Sequence, residues 1–220
     1  MSVSDPAATV RCMTSTMTQM RVRVHRGCHE VGGTCVEVES GGARLILDVG
    51  RPLTAGADDY VDLPKVPGLA DGSDPGLLGV LISHGHLDHY GLIDQVHPSI
   101  PVYAGRSAAA IVEAARFFSP RGPALLPTGH LVDGQVFTLG PFAVTPHLVD
   151  HSAFDAYAFV VEAGGRRLMY TGDLSIRRSG HKTWQSPGRQ SATSRAGSST
   201  TPTQASTRWT EPGRRSRTSS

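Results

Sequence analysis

The hydrophobic pattern becomes regular at Met20. Val22 and Val24 alternate with Arg21, Arg23 and His25, the period of a half-buried strand. Gly32-Gly33 interrupts the chain, and Cys35, Val36 and Val38 resume an extended run. Gly41-Gly42 predicts a hairpin turn into Arg44–Val49, whose centre Leu45-Ile46-Leu47 is continuously apolar and suits a strand covered on both faces. Residues 51–76 carry Pro52, Pro64, Pro67 and Pro75 among many acids and read as loop. Leu77–Ile82 predicts a second buried strand, followed by the polar cluster Ser83–His89. A short helix over Tyr90–Val96 and a short strand over Pro101–Ala104 come next. Ser107 is the expected N-cap of a helix running to Phe118 on Ala109, Ile111, Val112, Ala115 and Phe118. Pro120, Pro123 and Pro127 end it. Strands are then expected at Gln135–Leu139, Phe142–Val149, Ala156–Glu162 and Arg167–Tyr170, the last pair joined at Gly164-Gly165. Many strands in meander order, with helices between some of them, predict a mixed α/β (α+β) sandwich rather than an all-parallel sheet.

Composition changes this picture at both ends. Residues 1–19 are rich in Ser and Thr without period and read as a disordered extension. From residue 186 to the end there are 9 Ser and 7 Thr but no Ile, Leu, Val, Met, Phe or Tyr. Such a segment buries too little apolar surface to offset its chain entropy and reads as a disordered tail. The organisation expected is therefore a folded domain over 20–185 between two disordered ends. Charge divides a little earlier: residues 1–174 hold 12 basic and 18 acidic side chains, whereas 175–220 hold 9 basic and one acidic. The tail has two readings, a basic arm for RNA or another polyanion and an out-of-frame translation of GC-rich DNA. The abrupt break favours the second. No apolar run reaches the ~18 residues of a membrane span, and residues 1–20 lack a signal-peptide core. Cys12, Cys28 and Cys35 are too few and too clustered for a disulfide framework, so the cytoplasm is the expected compartment.

The candidate chemistry lies in Ser83-His84-Gly85-His86-Leu87-Asp88-His89, directly after a buried strand. The spacing H-x-H-x-D-H would arise by chance on the order of once in a thousand chains. Two histidines two apart in an extended segment point to one side and can share a metal ion. The following Asp-His pair, at a turn into a helix, can reach a second ion. Neither G-x-S-x-G nor a phosphate-binding Walker loop is present.

These residues, with three others in order, resemble the metallo-β-lactamase fold superfamily. Asp48 in Leu45-Ile46-Leu47-Asp48-Val49-Gly50 matches its early aspartate, and His84, His86, Asp88 and His89 its central motif. His151 in Val149-Asp150-His151-Ser152 matches its later histidine, and Asp173 in Tyr170-Thr171-Gly172-Asp173 its later aspartate. The resemblance implies an αββα sandwich, of which this chain would carry the N-terminal part. It implies a first zinc on His84, His86 and His151, a second on Asp88 and His89, and Asp173 bridging the two. Asp48 would support the histidine motif from behind, and Asp88 would also take up a proton. Zinc suits the histidine-rich set, and manganese or iron also fits His/Asp ligands. His147, four residues before His151, shares its face in a continued strand, so periodicity does not separate them; the match to Asp-His-Ser selects His151. His25, His29, His97, His130 and His181 fit no motif.

His29-Glu30-Val31-Gly32-Gly33, Asp48-Val49-Gly50 and Asp150-His151-Ser152 look like the ribonuclease J and pre-mRNA 3′-end cleavage (β-CASP) branch. In that branch a second domain follows the Asp173-type motif and a further zinc-binding histidine comes later; here the Ser/Thr/Arg tail stands in their place. The resemblance implies hydrolysis by water activated between two zinc ions, with RNA as the substrate. Two alternatives stand beside it: a small-molecule thioester or lactone hydrolase, favoured by the acidic balance of residues 1–174, and a truncated, inactive fragment. No membrane partner is expected.

Overall fold

The computed structural model describes residues 19–56, 59–118 and 122–175. All but the last residue of the extension expected over 1–19, the tail over 186–220 and His181 lie outside the described residues, as does Cys12. Ten strands form two sheets. The first has the order β1 (Met20–Arg26), β2 (Cys35–Ser40), β3 (Ala43–Leu47), β4 (Leu77–Leu81), β5 (Val102–Gly105) and β6 (Gly129–Leu131). Its first three strands are antiparallel hairpin partners, and β3 to β6 run parallel. The second sheet is an antiparallel meander of β7 (Phe137–Leu139), β8 (Phe142–Leu148), β9 (Tyr157–Ala163) and β10 (Arg166–Tyr170), in the order β10-β9-β8-β7.

Alternation along the strands divides the core in two. Val36, Val38, Leu45, Leu47 and Leu81 of the first sheet meet Phe142, Val144, Phe159 and Val161 of the second. The opposite face of the first sheet, with Cys35, Ile46, Val80 and Ile82, is covered by Tyr90, Ile93, Ala109 and Val112. This explains why Leu45-Ile46-Leu47 is apolar at every position, since each face of β3 meets a different layer. The covering elements are α1 (Leu87–Tyr90), a 3-10 turn at Ile93–Gln95 and α2 (Arg106–Phe118). Among the described residues no helix is long and apolar enough to cross a membrane.

Several expectations need correction. Val22 and Val24 are 48% and 47% exposed, because β1 is an edge strand and the second sheet ends at β10 without covering it. The helix expected over Tyr90–Val96 divides into α1 and the 3-10 turn, and β6 carries too few apolar residues to have been seen. Ser107 lies inside α2 and does not cap it, and Ile111 and Phe118 face outward, leaving Ala108, Ala109 and Val112 as the buried face.

The segment after β3 is sewn to the helical turn that follows β4. Val49 N–H donates to His89 O at 2.8 Å, Arg51 N–H to Leu87 O at 2.9 Å, and Leu92 N–H to Val49 O at 3.0 Å. Gly50 permits this approach: a Cβ there would stand 1.7 Å from the carbonyl oxygen of Asp88. Gly50→Ala must push the two segments apart, at a cost of about 3 kcal/mol, the upper end of ordinary overpacking. Urea unfolding of the variant beside the parent checks this; a midpoint unchanged within error contradicts it.

Candidate metal centre

β4 ends at Leu81, and the chain bends at Gly85-His86, with His86 itself in extended backbone, before α1 begins. Asp48 takes over from β3, with its N–H on Leu81 O at 2.9 Å. Its backbone is left-handed at φ 62°, a region where Asp is among the better tolerated residues. This turns the carboxylate into the sandwich, where the residue is fully buried. Four donors converge on it: Ser83 N–H and Ser83 Oγ at 2.7 Å each, His89 Nδ1 at 2.7 Å, and the Tyr170 hydroxyl at 2.6 Å.

The bond to Asp48 leaves the other face of His89 turned toward acids. Nε2 lies 3.6 Å from Asp88 Oδ2 and 3.5 Å from Asp173 Oδ2. Beside it, His84 Nε2 lies 3.1 Å from His86 Nδ1, which lies 3.2 Å from His151 Nε2. His84 is the hinge between the two groups, its ring centroid 4.0 Å from that of His89 and 4.5 Å from that of His151. Two sets of potential ligands result, His84–His86–His151 and His84–His89–Asp173, each with its ligand atoms within 4.8 Å of one another. Asp88 adjoins the second set through His89.

The donor chemistry fits a divalent cation. Nitrogens on a tetrahedral zinc at 2.0–2.1 Å stand about 3.3 Å apart, close to the 3.1 and 3.2 Å found. Three imidazoles at that spacing cannot all be satisfied by bonding to one another, and a shared cation would take all three lone pairs. All seven residues singled out from the sequence, Asp48, His84, His86, Asp88, His89, His151 and Asp173, meet here. His147 does not: it sits on β8, paired with Ala158, and belongs to neither ligand set.

Two supporting residues escaped the sequence reading. Tyr170 closes the cage around Asp48, and Ser83 bonds both Asp48 and His84 Nδ1, the latter at 3.0 Å. A tyrosine ending a strand carries no motif, although its place three residues before Asp173 was visible. Burial, then the charge of Asp48, drives the Tyr170 phenol far above its usual range, so it remains a donor to the carboxylate. Gly172 and Gly32 allow the close packing around these groups. A Cβ at Gly172 would stand 3.0 Å from Ser83 Oγ, and one at Gly32 would stand 2.8 Å from Asp88 Cβ.

The histidines titrate in opposite senses. Burial, then the neighbouring rings of His89, His151 and His86, pushes His84 down to about 2. His151 is lowered by burial and by His86. For His89, burial opposes the charged form, but the hydrogen bond and charge of Asp48, with Asp88 and Asp173, outweigh it and raise the pKa. Below pH 6.5 the unfolded chain protonates His84 while the folded chain does not, so stability is lost as pH falls toward 2. His89 acts oppositely, its contribution being present below the unfolded pKa and lost as pH rises through the folded one. In chelator-treated protein His84 alone is expected to remove about 2 kcal/mol between pH 7 and pH 5. Urea titrations at the two pH values check this. A His84→Gln variant that keeps the full slope contradicts the assignment.

Two facing sheets, the first also covered by helices, carry two His/Asp ligand sets at the ends of their strands, the arrangement of a candidate binuclear metal centre. Comparison with known proteins agrees. The profile of the beta-lactamase superfamily domain matches residues 55–184, and the chain belongs to that family, with the metallo-β-lactamase fold. It is 32% identical to Ribonuclease J of Sinorhizobium meliloti over 116 residues, 52% of this chain and 20% of that protein. It is 30% identical to Ribonuclease TTHA0252 of Thermus thermophilus over 175 residues, 72% of this chain and 38% of the relative. Among solved structures, a protein of unknown function from Enterococcus faecalis V583 aligns with a TM-score of 0.61 at 26% identity, covering 72% of this chain and 44% of that one. The chain thus spans a fifth to two fifths of the length of these ribonuclease relatives.

Proposed function

We propose that this domain is the metal-holding core of a hydrolase that cleaves RNA phosphodiester bonds, with zinc as its metal. The observation that carries the reading is the convergence of His84 Nε2, His86 Nδ1 and His151 Nε2, at 3.1 and 3.2 Å, beside the His89–Asp88–Asp173 group. His84, His86 and His151 would hold one ion, Asp88 and His89 a second, and Asp173 both. The similarity to proteins named as ribonucleases supports RNA as the substrate.

Divalent ions, once bound by these residues, would supply a lowered pKa for water and positive charge opposite the group attacked. The chain's own residues organise the rest. Asp48 fixes the His89 ring through Nδ1, so that Nε2 faces the carboxylates. Ser83 and Tyr170 hold the Asp48 carboxylate in place by donating to it. Asp88, whose side chain is 13% exposed, is the carboxylate placed to take a proton from attacking water. No serine or cysteine nucleophile is required.

A second reading, hydrolysis of a small thioester or lactone, is favoured by the excess of six acids over residues 1–174, which opposes a phosphate backbone. Elemental analysis after gel filtration, followed by assays on a labelled single-stranded RNA and on thioester and lactone substrates, separates the two. About two zinc ions per chain and chelator-sensitive RNA cleavage are expected. Ester turnover without RNA cleavage would establish the second reading, and protein that binds no divalent metal would overturn both.

A further inference from the structure

His84 and His89 each have the ring nitrogen away from the ligand cluster held by a side chain, Ser83 Oγ for one and Asp48 for the other. A metal-binding histidine ordinarily needs such a partner to fix its ring. Among the described residues His151 has none: its Nδ1 is buried without a hydrogen-bond partner there. With that nitrogen unheld, the aim of the ring rests on the contact of Nε2 with His86 Nδ1 at 3.2 Å and on the backbone that carries it, the loop over residues 149–156.

That loop is fastened at four places among the described residues. Val149 N–H donates to Ala156 O at 2.9 Å and closes it, Ser175 N–H donates to Asp150 O at 2.7 Å beside His151, and Tyr157 N–H donates to Ser83 O at 2.9 Å, tying its end to the residue before His84. The fourth fastening, and the one made by a side chain of the loop, is Asp155. Its Oδ2 accepts from Ser107 N–H at 2.8 Å and Ala108 N–H at 3.2 Å, the first turn of α2. The helix whose cap the sequence assigned to Ser107 is thus capped by an acid 48 residues further on. Asp155 and Asp48 are the two non-glycine residues with left-handed backbone among those described, each at φ 62°. Gly105 makes room, since a Cβ there would stand 2.4 Å from Asp155 Oδ2.

We propose that Asp155 is a positioning residue for His151: by clamping loop 149–156 to the start of α2, it aims an imidazole whose Nδ1 no side chain holds. The clamp is four residues from His151 and needs no contact with the ring. It does through the backbone what Ser83 and Asp48 do through hydrogen bonds for His84 and His89. An aspartate suits the task twice over, since its charge favours a helix N-terminus and its side chain tolerates the left-handed conformation.

The test compares Asp155→Gly with Asp155→Asn in the full chain. Glycine deletes the clamp without straining φ 62°, and asparagine keeps an acceptor oxygen and also tolerates that backbone. In chelator-treated protein, Asp155→Gly is expected to lose the ring-to-ring NOEs between His151 and His86 while keeping those between His84 and His89. Its zinc affinity, read by competition with a chromophoric chelator, is expected to fall about 10- to 100-fold. Asp155→Asn is expected to restore both readouts. The idea is overturned if Asp155→Gly keeps both the NOEs and the affinity, if asparagine rescues neither in a folded protein, or if both variants unfold. The zinc readout rests on the metal-dependent function proposed above, whereas the NOEs do not. Parent protein that binds no zinc would sink that function alone, and the NOE comparison would still decide the role of Asp155.

Discussion

Asp48→Ala is expected to lower the stability of the metal-free protein by about 4 kcal/mol, among the largest effects a single substitution produces. The carboxylate is fully buried and accepts four hydrogen bonds, from Ser83 N–H, Ser83 Oγ, His89 Nδ1 and the Tyr170 hydroxyl. Deleting it leaves those donors without an acceptor in a site closed to water, each at a cost of about 1–3 kcal/mol before relaxation. Alanine also lacks the tolerance of aspartate for φ 62°. His89 loses both the bond that orients its ring and the charge that outweighs its burial, so its pKa should drop. Urea unfolding measures the first effect and an NMR titration of the His89 ring the second. A loss below about 1 kcal/mol would mean the cage is not the structural anchor described here.

His86→Ala should do the reverse, sparing the fold and destroying the site. The ring is partly exposed, and its Nδ1 is the hub of the three-imidazole cluster, within 3.2 Å of both His84 Nε2 and His151 Nε2. In the absence of metal His86 Nδ1 carries at most one proton and can bond only one of those two nitrogens, so removing the hub costs the metal-free protein little. Zinc affinity is expected to fall at least about 100-fold, because loss of a direct ligand exceeds the 10- to 100-fold effect of losing an outer partner. Hydrolysis should fall in parallel. Chelator competition reads the affinity, and urea unfolding in chelator confirms the intact fold. A variant that keeps parental zinc affinity would remove His86 from the ligand set.

The contrast reflects two kinds of legibility. His84, His86, Asp88 and His89 were visible as a cluster because metal ligation demands particular atom types at short, regular spacings. Asp48, His151 and Asp173 were visible because their flanking residues match motifs of the resemblance. The supporting residues carry no such mark: Tyr170 and Asp155 are ordinary members of a strand end and a loop. Their roles depend on neighbours 122 and 48 residues away along the chain. The misplaced cap of α2 is the same lesson in miniature, since the local rule pointed to Ser107 and a distant carboxylate supplies the bond.

Hydrophobic alternation placed most of the strands and the turns between them, since a strand's side-chain period and a turn's need for glycine are local properties. It also marked β3 as doubly covered. It did not show which sheet each strand joins, that β1 would be left at an edge with Val22 and Val24 exposed, or that His147 and His151 part company at the end of β8. Those outcomes depend on which surfaces meet. A residue's own sequence neighbourhood settles its conformation and its chemistry. Its burial, its hydrogen-bond partners and the direction in which its ligand atom points come from segments that only folding brings alongside it.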